Sequence, residues 1–332
     1  MKIATLQLNS RLGEVKYNID RANAILDASK PGQLDLLVLP ELVFTGYNFP
    51  SREAITPYLE PTAAGTTTKW AIETAQRGDC YVMAGYPEQD TSAREEGIER
   101  NFNSVVIVSP AGQVVGNYRK SFLYYTDETW ASEGAEGHSS SSGPPPPFHV
   151  QTLGELGTVG LGICMDINPY RFTAPWTAYE FALRMISSNC RVIVLSMAWL
   201  TRLQAEDLDV EPEKPDMETV AYWLERFWPY IERAPDEEVV VVFANRCGVE
   251  GNDVGAREED HVQLEPVNGE TLKSGNRVCY AGSSCVMRFQ GGDVRMFERR
   301  PNEVAILGKA DESLLVVDTT QSARFLLQQK AG

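Results

Sequence analysis

The chain has 332 residues, of which 43% are hydrophobic and 23% charged, with a formal net charge of −16. This composition is ordinary for a globular protein and sufficient for one large domain or two smaller ones. The acidic excess speaks against duplex nucleic acid or an anionic membrane as partner, since phosphate binding needs a basic face, and it suits a substrate bearing positive charge, although most of these carboxylates serve solubility.

Lys2–Leu8 alternates as a strand, and Tyr17–Ser29 carries Ile19, Ala22, Ile25 and Leu26 on one helical face. Leu34–Leu39 is an apolar run interrupted only by Asp35, as expected of a strand buried on both faces, and it stops at Pro40-Glu41. A helix over Thr66–Arg77 and a strand over Tyr81–Gly85 follow. Phe102–Ser109 and Gln113–Tyr118 flank Pro110-Ala111-Gly112, a turn signature that predicts a hairpin leading to Lys120. The glycine-rich apolar run Gly157–Ile163 stops at Cys164. Pro175 opens a helix expected to reach Asn189, and a strand over Arg191–Met197 comes next. An acidic helix around Met217–Glu232 precedes the β-branched strand Glu238–Ala244. Gly282–Phe289 and Leu314–Val317 read as the last strands, with Gly291-Gly292 as a turn. This alternation predicts an α/β fold in one domain, 1–332, with a flexible Ser/Pro-rich loop at about 131–148.

No cationic, apolar leader precedes the first strand, and no apolar stretch reaches the ~18 residues of a membrane-spanning helix. A reducing compartment is expected, cytoplasmic and also compatible with the nucleus, with the six scattered cysteines as free thiols. The three histidines, His138, His149 and His261, have no metal-ligand spacing, and no Cys-x-x-Cys pair occurs, so neither metal nor cofactor is expected. No segment identifies an oligomer interface.

Glu41, Lys120 and Cys164 share one setting, the end of a predicted strand. In α/β sheets the strand ends are where sites assemble. Singly, each residue has an ordinary structural reading: a packed small thiol, a solvated carboxylate, a solvated ammonium. Together they can hydrolyse an amide without histidine or metal. A carboxylate accepts the thiol proton, an ammonium and a backbone N–H hold the oxyanion, and the same carboxylate activates water against the thioester.

Three segments carry a resemblance: Leu39-Pro-Glu-Leu-Val-Phe-Thr-Gly-Tyr-Asn-Phe49, Tyr118-Arg-Lys-Ser-Phe-Leu-Tyr124 and Gly162-Ile-Cys-Met-Asp166. They resemble the three catalytic blocks of the nitrilase (carbon–nitrogen hydrolase) superfamily, in that family's order. The resemblance implies a four-layer α-β-β-α sandwich, Glu41 as general base, Lys120 as oxyanion-stabilising lysine and Cys164 as nucleophile. Within the superfamily, Gly46–Phe49, Phe122–Trp130 and Cys164–Phe172 are similar to the fungal protein N-terminal amidases. That likeness implies deamidation of N-terminal Asn and Gln of polypeptides to Asp and Glu, and a role upstream of N-degron machinery. The alternative is a small-molecule amidase, carbamoylase or nitrilase of the same superfamily. A binding module that reads N-termini without turnover is a further alternative, against which the three intact blocks speak.

A substrate of that kind has a free α-ammonium, a carboxamide side chain and a continuing chain. Asp127, Glu128 and Asp166 lie beside the catalytic segments and are candidate ammonium partners, each with a helix- or turn-capping alternative. The resemblance gives Glu128 a second role, holding the lysine and the attacking water. In the amide chemistry of the trio, the backbone N–H that meets the oxyanion is that of Met165, the residue after Cys164. Tyr47 is a candidate hydrogen-bonding residue for the substrate or Glu41, and Trp130 and Trp199 line the pocket or fill the core.

Overall fold

The computed structural model describes residues 1–90, 100–135, 147–251 and 277–328. Two seven-stranded sheets form its centre. In the first, Lys2–Gln7, Leu36–Val38 and Tyr81–Asp90 run parallel as neighbours, and the hairpin Arg100–Val108/Val114–Arg119 extends this sheet antiparallel from Tyr81–Asp90. Ser313–Asp318 closes its other edge on Lys2–Gln7. In the second, Thr158–Ile163, Val192–Met197 and Val239–Asn245 are parallel neighbours, flanked by His149–Thr152 on one side and Cys285–Gln290 on the other.

Side-chain alternation assigns the layers. Ile3, Val38, Met83 and Ile107 point from the first sheet into one buried cluster with Leu161, Val194 and Val242 of the second. The same cluster continues to Phe181 and Trp223 on the helices outside the second sheet, and to Phe227 at the junction between two of them. The opposite side chains of the first sheet, Ala4, Leu37, Val82 and Val106, bury against Leu26 of helix Val15–Ser29 and Trp70 of helix Thr66–Gly78. The result is the expected α-β-β-α order. Every residue of Val239–Asn245 is buried, and each valine there contributes about 1.5–3 kcal/mol of apolar burial.

Most predicted elements occur within a few residues of their expected ends. Two long helices are instead broken. Past Pro175 there is a single 3-10 turn, Trp176–Ala178, and the α-helix spans only Glu180–Ser187. Tyr179 between them adopts a left-handed backbone (φ 46°), with its ring 4.8 Å from the buried Arg226 guanidinium. The acidic helix divides into Met217–Arg226 and Trp228–Arg233. Pro229 lacks the N–H that a continuous helix would need there. The strand expected from Gly282 begins at Cys285, because Gly282 and Ser283 are left-handed (φ 54° and 59°). Of the loop expected at 131–148, residues 136–146 lie outside the described residues, as do His138 and His261.

Candidate active site

The two sheets bring three strand ends to one place. Glu41 follows Leu36–Val38 through Leu39-Pro40 and is fully buried. Its turn is held to the neighbouring strand by Leu39 N–H to the Met83 carbonyl (2.8 Å) and Val43 N–H to the Gly85 carbonyl (3.2 Å). Lys120, also fully buried, follows Val114–Arg119, and its N–H donates to the Asn103 carbonyl at 2.8 Å. Cys164 follows Thr158–Ile163 with φ 43°, a left-handed conformation that costs a non-glycine residue on the order of 1–2 kcal/mol. The turn turns the thiol out of the sheet.

That turn is tied to the lysine segment by Asp166. Its Oδ2 accepts from the Ile163 N–H and the Tyr118 hydroxyl, both at 2.7 Å. Its Oδ1 accepts from the N–H groups of Ser121 (3.1 Å) and Phe122 (2.8 Å). Asp166 is therefore a capping and cross-bracing carboxylate with both oxygens engaged, which corrects its assignment as an ammonium partner.

Glu41 Oε1 accepts from Lys120 Nζ and from Asn103 Nδ2, each at 2.6 Å, while its Oε2 accepts from the Ala198 N–H at 2.7 Å. Lys120 Nζ also donates to Asp127 Oδ2 at 2.5 Å, and Asn103 Nδ2 to Asp127 Oδ1 at 2.9 Å. Asp127 Oδ2 further accepts the Tyr124 N–H (3.0 Å). Asp127 thus performs the lysine-holding role expected of Glu128, and its oxygens are likewise engaged. Glu128, one residue on in the short helix Tyr125–Glu128, points away and is exposed. A one-residue step on a helix rotates a side chain by about 100°, which is enough to exchange a buried and an exposed carboxylate.

Burial pushes the Cys164 thiol well above its ordinary range; Glu41 pushes it further, and Lys120 and the Ala198 N–H oppose this. Burial likewise raises the Glu41 carboxyl, against the opposing Lys120 charge. For Lys120, burial favours the neutral amine, but Asp127, Glu41 and Cys164 together outweigh it and hold the ammonium charged. The surroundings thus favour the protonated thiol, raise the proton affinity of Glu41 and hold Lys120 towards its charged form.

Tyr47 is buried, with its ring centroid 5.7 Å from Lys120 Nζ. Its hydroxyl is raised well above the usual phenol range by burial and then by Asp127, Glu41 and Cys164, so it faces the same charges. Burial and the proximity of Cys164 raise Tyr124 to about 12. Met165, whose N–H is the first beyond the thiol, is buried. Trp130 packs with Leu42, Tyr47 and Phe49, while Trp199 lies half-buried against Tyr222 (5.2 Å between ring centroids). Sequence reasoning missed Asn103 and the Ala198 N–H. Asn103 sits inside the strand Arg100–Val108 and Ala198 directly after Val192–Met197, and neither carries a local signal. Among the described residues, no group of three His, Cys, Asp or Glu side chains is placed to hold a metal ion.

Comparison with known proteins fits this geometry. The sequence model of carbon–nitrogen hydrolases matches residues 2–174, more than half of the chain. The chain belongs to the carbon–nitrogen hydrolase family. Among its curated relatives, the protein N-terminal amidase of Schizosaccharomyces pombe is 33% identical over 88% of this chain and 92% of its own length. The protein N-terminal amidase of Saccharomyces cerevisiae is 31% identical over 62% of this chain, which spans 46% of that longer protein. A crystal structure of an N-terminal amidase with an Asn-Glu-Ala peptide superposes with a TM-score of 0.72 over 95% of this chain and 96% of the other, at 21% identity. That likeness establishes the shared carbon–nitrogen hydrolase fold, and the three matched blocks fall on the three strand ends.

Proposed function

We propose that this chain hydrolyses the side-chain carboxamide of N-terminal Asn or Gln in polypeptides, releasing ammonia and leaving Asp or Glu. The observation that carries the reading is the buried Glu41–Lys120 pair at 2.6 Å beside Cys164, in a chain 33% identical over 88% of its length to a protein N-terminal amidase.

In the reaction, Cys164 Sγ attacks the carboxamide carbon while Glu41 takes the thiol proton. Lys120 Nζ and the Met165 N–H hold the oxyanion, whose charge develops only in the transition state. Glu41 passes its proton to the departing ammonia, and a thioester remains. Water, deprotonated by Glu41, attacks the thioester; the acid product leaves and Cys164 regains its proton. Tyr47, facing Asp127, Glu41 and Cys164, is proposed to hydrogen-bond the substrate. The net charge of −16 supports attraction of a free α-ammonium. Because the product exchanges a neutral N-terminal side chain for an acidic one, we place the reaction upstream of N-degron protein degradation, in the cytoplasm or nucleus.

The test is a substrate panel: an Asn-initiated peptide, its acetylated form, free asparagine and a carbamoyl amino acid. Hydrolysis confined to the free-amine peptide is expected. Equal turnover of the acetylated peptide defeats ammonium recognition, and preference for the free metabolites favours a small-molecule amidase.

A further inference from the structure

Outside the catalytic cluster lies a second buried ion pair that the reaction above does not use. Arg246 Nη2 donates to Glu250 Oε1 at 2.6 Å, with both side chains essentially without solvent exposure. The pair belongs to the hairpin Cys247–Gly251/Arg277–Ala281 and the residue before it. Burying two charges is expensive, and a well-packed apolar pair would serve stability as well or better. What an ion pair with fully engaged oxygens gives instead is fixed geometry.

The partners of Glu250 show what is being fixed. Its Oε2 accepts from the backbone N–H of Tyr47 (3.0 Å), the backbone N–H of Asn48 (2.8 Å) and the Tyr280 hydroxyl (2.6 Å). A β-carbon at Gly46 would lie 2.6 Å from Glu250 Oε1, so the carboxylate sits directly against the loop backbone. Arg246 is itself anchored by the Ser10 carbonyl at 3.0 Å and by the Tyr280 ring, 4.6 Å from its guanidinium carbon. The same hairpin grips the other side of the site: Ala281 N–H donates to the Trp199 carbonyl at 2.9 Å, next to Ala198, whose N–H holds Glu41. One hairpin thus spans the two loops that flank Glu41.

We propose that Glu250, neutralised by Arg246, is a positioning residue that sets Tyr47 for substrate binding through the Tyr47 and Asn48 backbone. The inference rests on the reading of Tyr47 as a substrate contact. It acts on binding, so its signature is in KM rather than in the chemical step.

The experiment is a double-mutant cycle between Glu250→Gln and Tyr47→Phe, with kcat and KM measured on an Asn-initiated peptide. Glu250→Gln should raise KM about tenfold with kcat changed less than about threefold, and the double variant should lose no more than about twofold beyond the worse single variant. Multiplicative losses, or a fall in kcat at unchanged KM that follows the folded fraction, overturn the proposal. Should Glu250→Gln not fold, Tyr280→Phe, which removes one of three donors to the same oxygen, closes the cycle with Tyr47→Phe. Wild-type turnover of the peptide tests the amidase reading separately. If the wild type is inert on it, the cycle is read on the rate at which iodoacetamide, a small carboxamide, alkylates Cys164. Non-additive losses in that rate support the positioning role, and an unchanged or additive rate ends it.

Discussion

Gly85 packs against the backbone of Glu41 so closely that a β-carbon there would lie 2.7 Å from the Glu41 Cα and 2.8 Å from the Leu42 nitrogen. The turn bearing Glu41, the proposed general base, is thereby seated on a position with no side chain. Gly85→Ala must push that turn outward, and overpacking of this kind costs about 1–3 kcal/mol. We expect kcat/KM to fall at least tenfold at a temperature where circular dichroism shows the variant folded, because the displaced residue is the proposed base. Wild-type kinetics in the folded variant would show that the Glu41 position tolerates movement.

Asp127 and Glu128 are adjacent acidic residues with opposite expected consequences. Asp127→Asn removes one of the two carboxylates that hold the buried Lys120 ammonium, and breaking such a pair costs about 3–5 kcal/mol. Denaturant unfolding should show that loss together with a fall in activity of at least a hundredfold. Glu128→Gln changes an exposed side chain and should alter stability by no more than about 0.5 kcal/mol. The reverse ranking would restore Glu128 as the residue holding the lysine.

The pH dependence of Cys164 follows from its neighbours. Burial and the Glu41 charge both raise the thiol, and Lys120 alone among the charged groups opposes them strongly. Removing the Glu41 charge therefore lowers the thiol pKa. In Glu41→Gln, alkylation of Cys164 by iodoacetamide should rise at a lower pH than in the wild type, while peptide hydrolysis is lost. The acid limb of wild-type kcat/KM should lie above the ordinary carboxylate value of about 4.3, since burial raises Glu41. An alkylation profile that moves to higher pH in Glu41→Gln would mean that the thiolate depends on Glu41 as its base in the resting enzyme.

The proposed trio was legible because each member ends a predicted strand: Glu41 and Cys164 each close an apolar run, while Lys120 follows the second strand of the hairpin around Pro110-Ala111-Gly112. The alternation of Lys2–Gln7, Leu36–Val38 and Tyr81–Asp90 with helices was likewise visible. Asp127 was visible but its role was not, since a four-residue helix has too few turns for its buried face to be read from spacing. Asn103 lies in the polar first half of the strand Arg100–Val108, beside Asn101 and Ser104, with nothing local to single it out, and Glu250 reaches the site from a hairpin some two hundred residues after Tyr47 in the chain. Such contacts depend on how the two sheets are stacked, which periodicity does not encode. The helix break at Tyr179 accompanies a tertiary contact of the same kind, with Arg226, whereas the break at Phe227 follows from Pro229, a local feature that the apolar periodicity overrode.

The central claim is that Cys164 cleaves the carboxamide of an N-terminal Asn or Gln. Intact-mass measurement of an Asn-initiated peptide after incubation with the wild type and with Cys164→Ala tests it most directly. The wild type should convert the peptide to a species heavier by about 1 Da with stoichiometric ammonia, and Cys164→Ala, folded, should leave the peptide unchanged. Conversion by Cys164→Ala at a rate comparable to the wild type, or no conversion by a folded wild type on either Asn or Gln, would contradict the account.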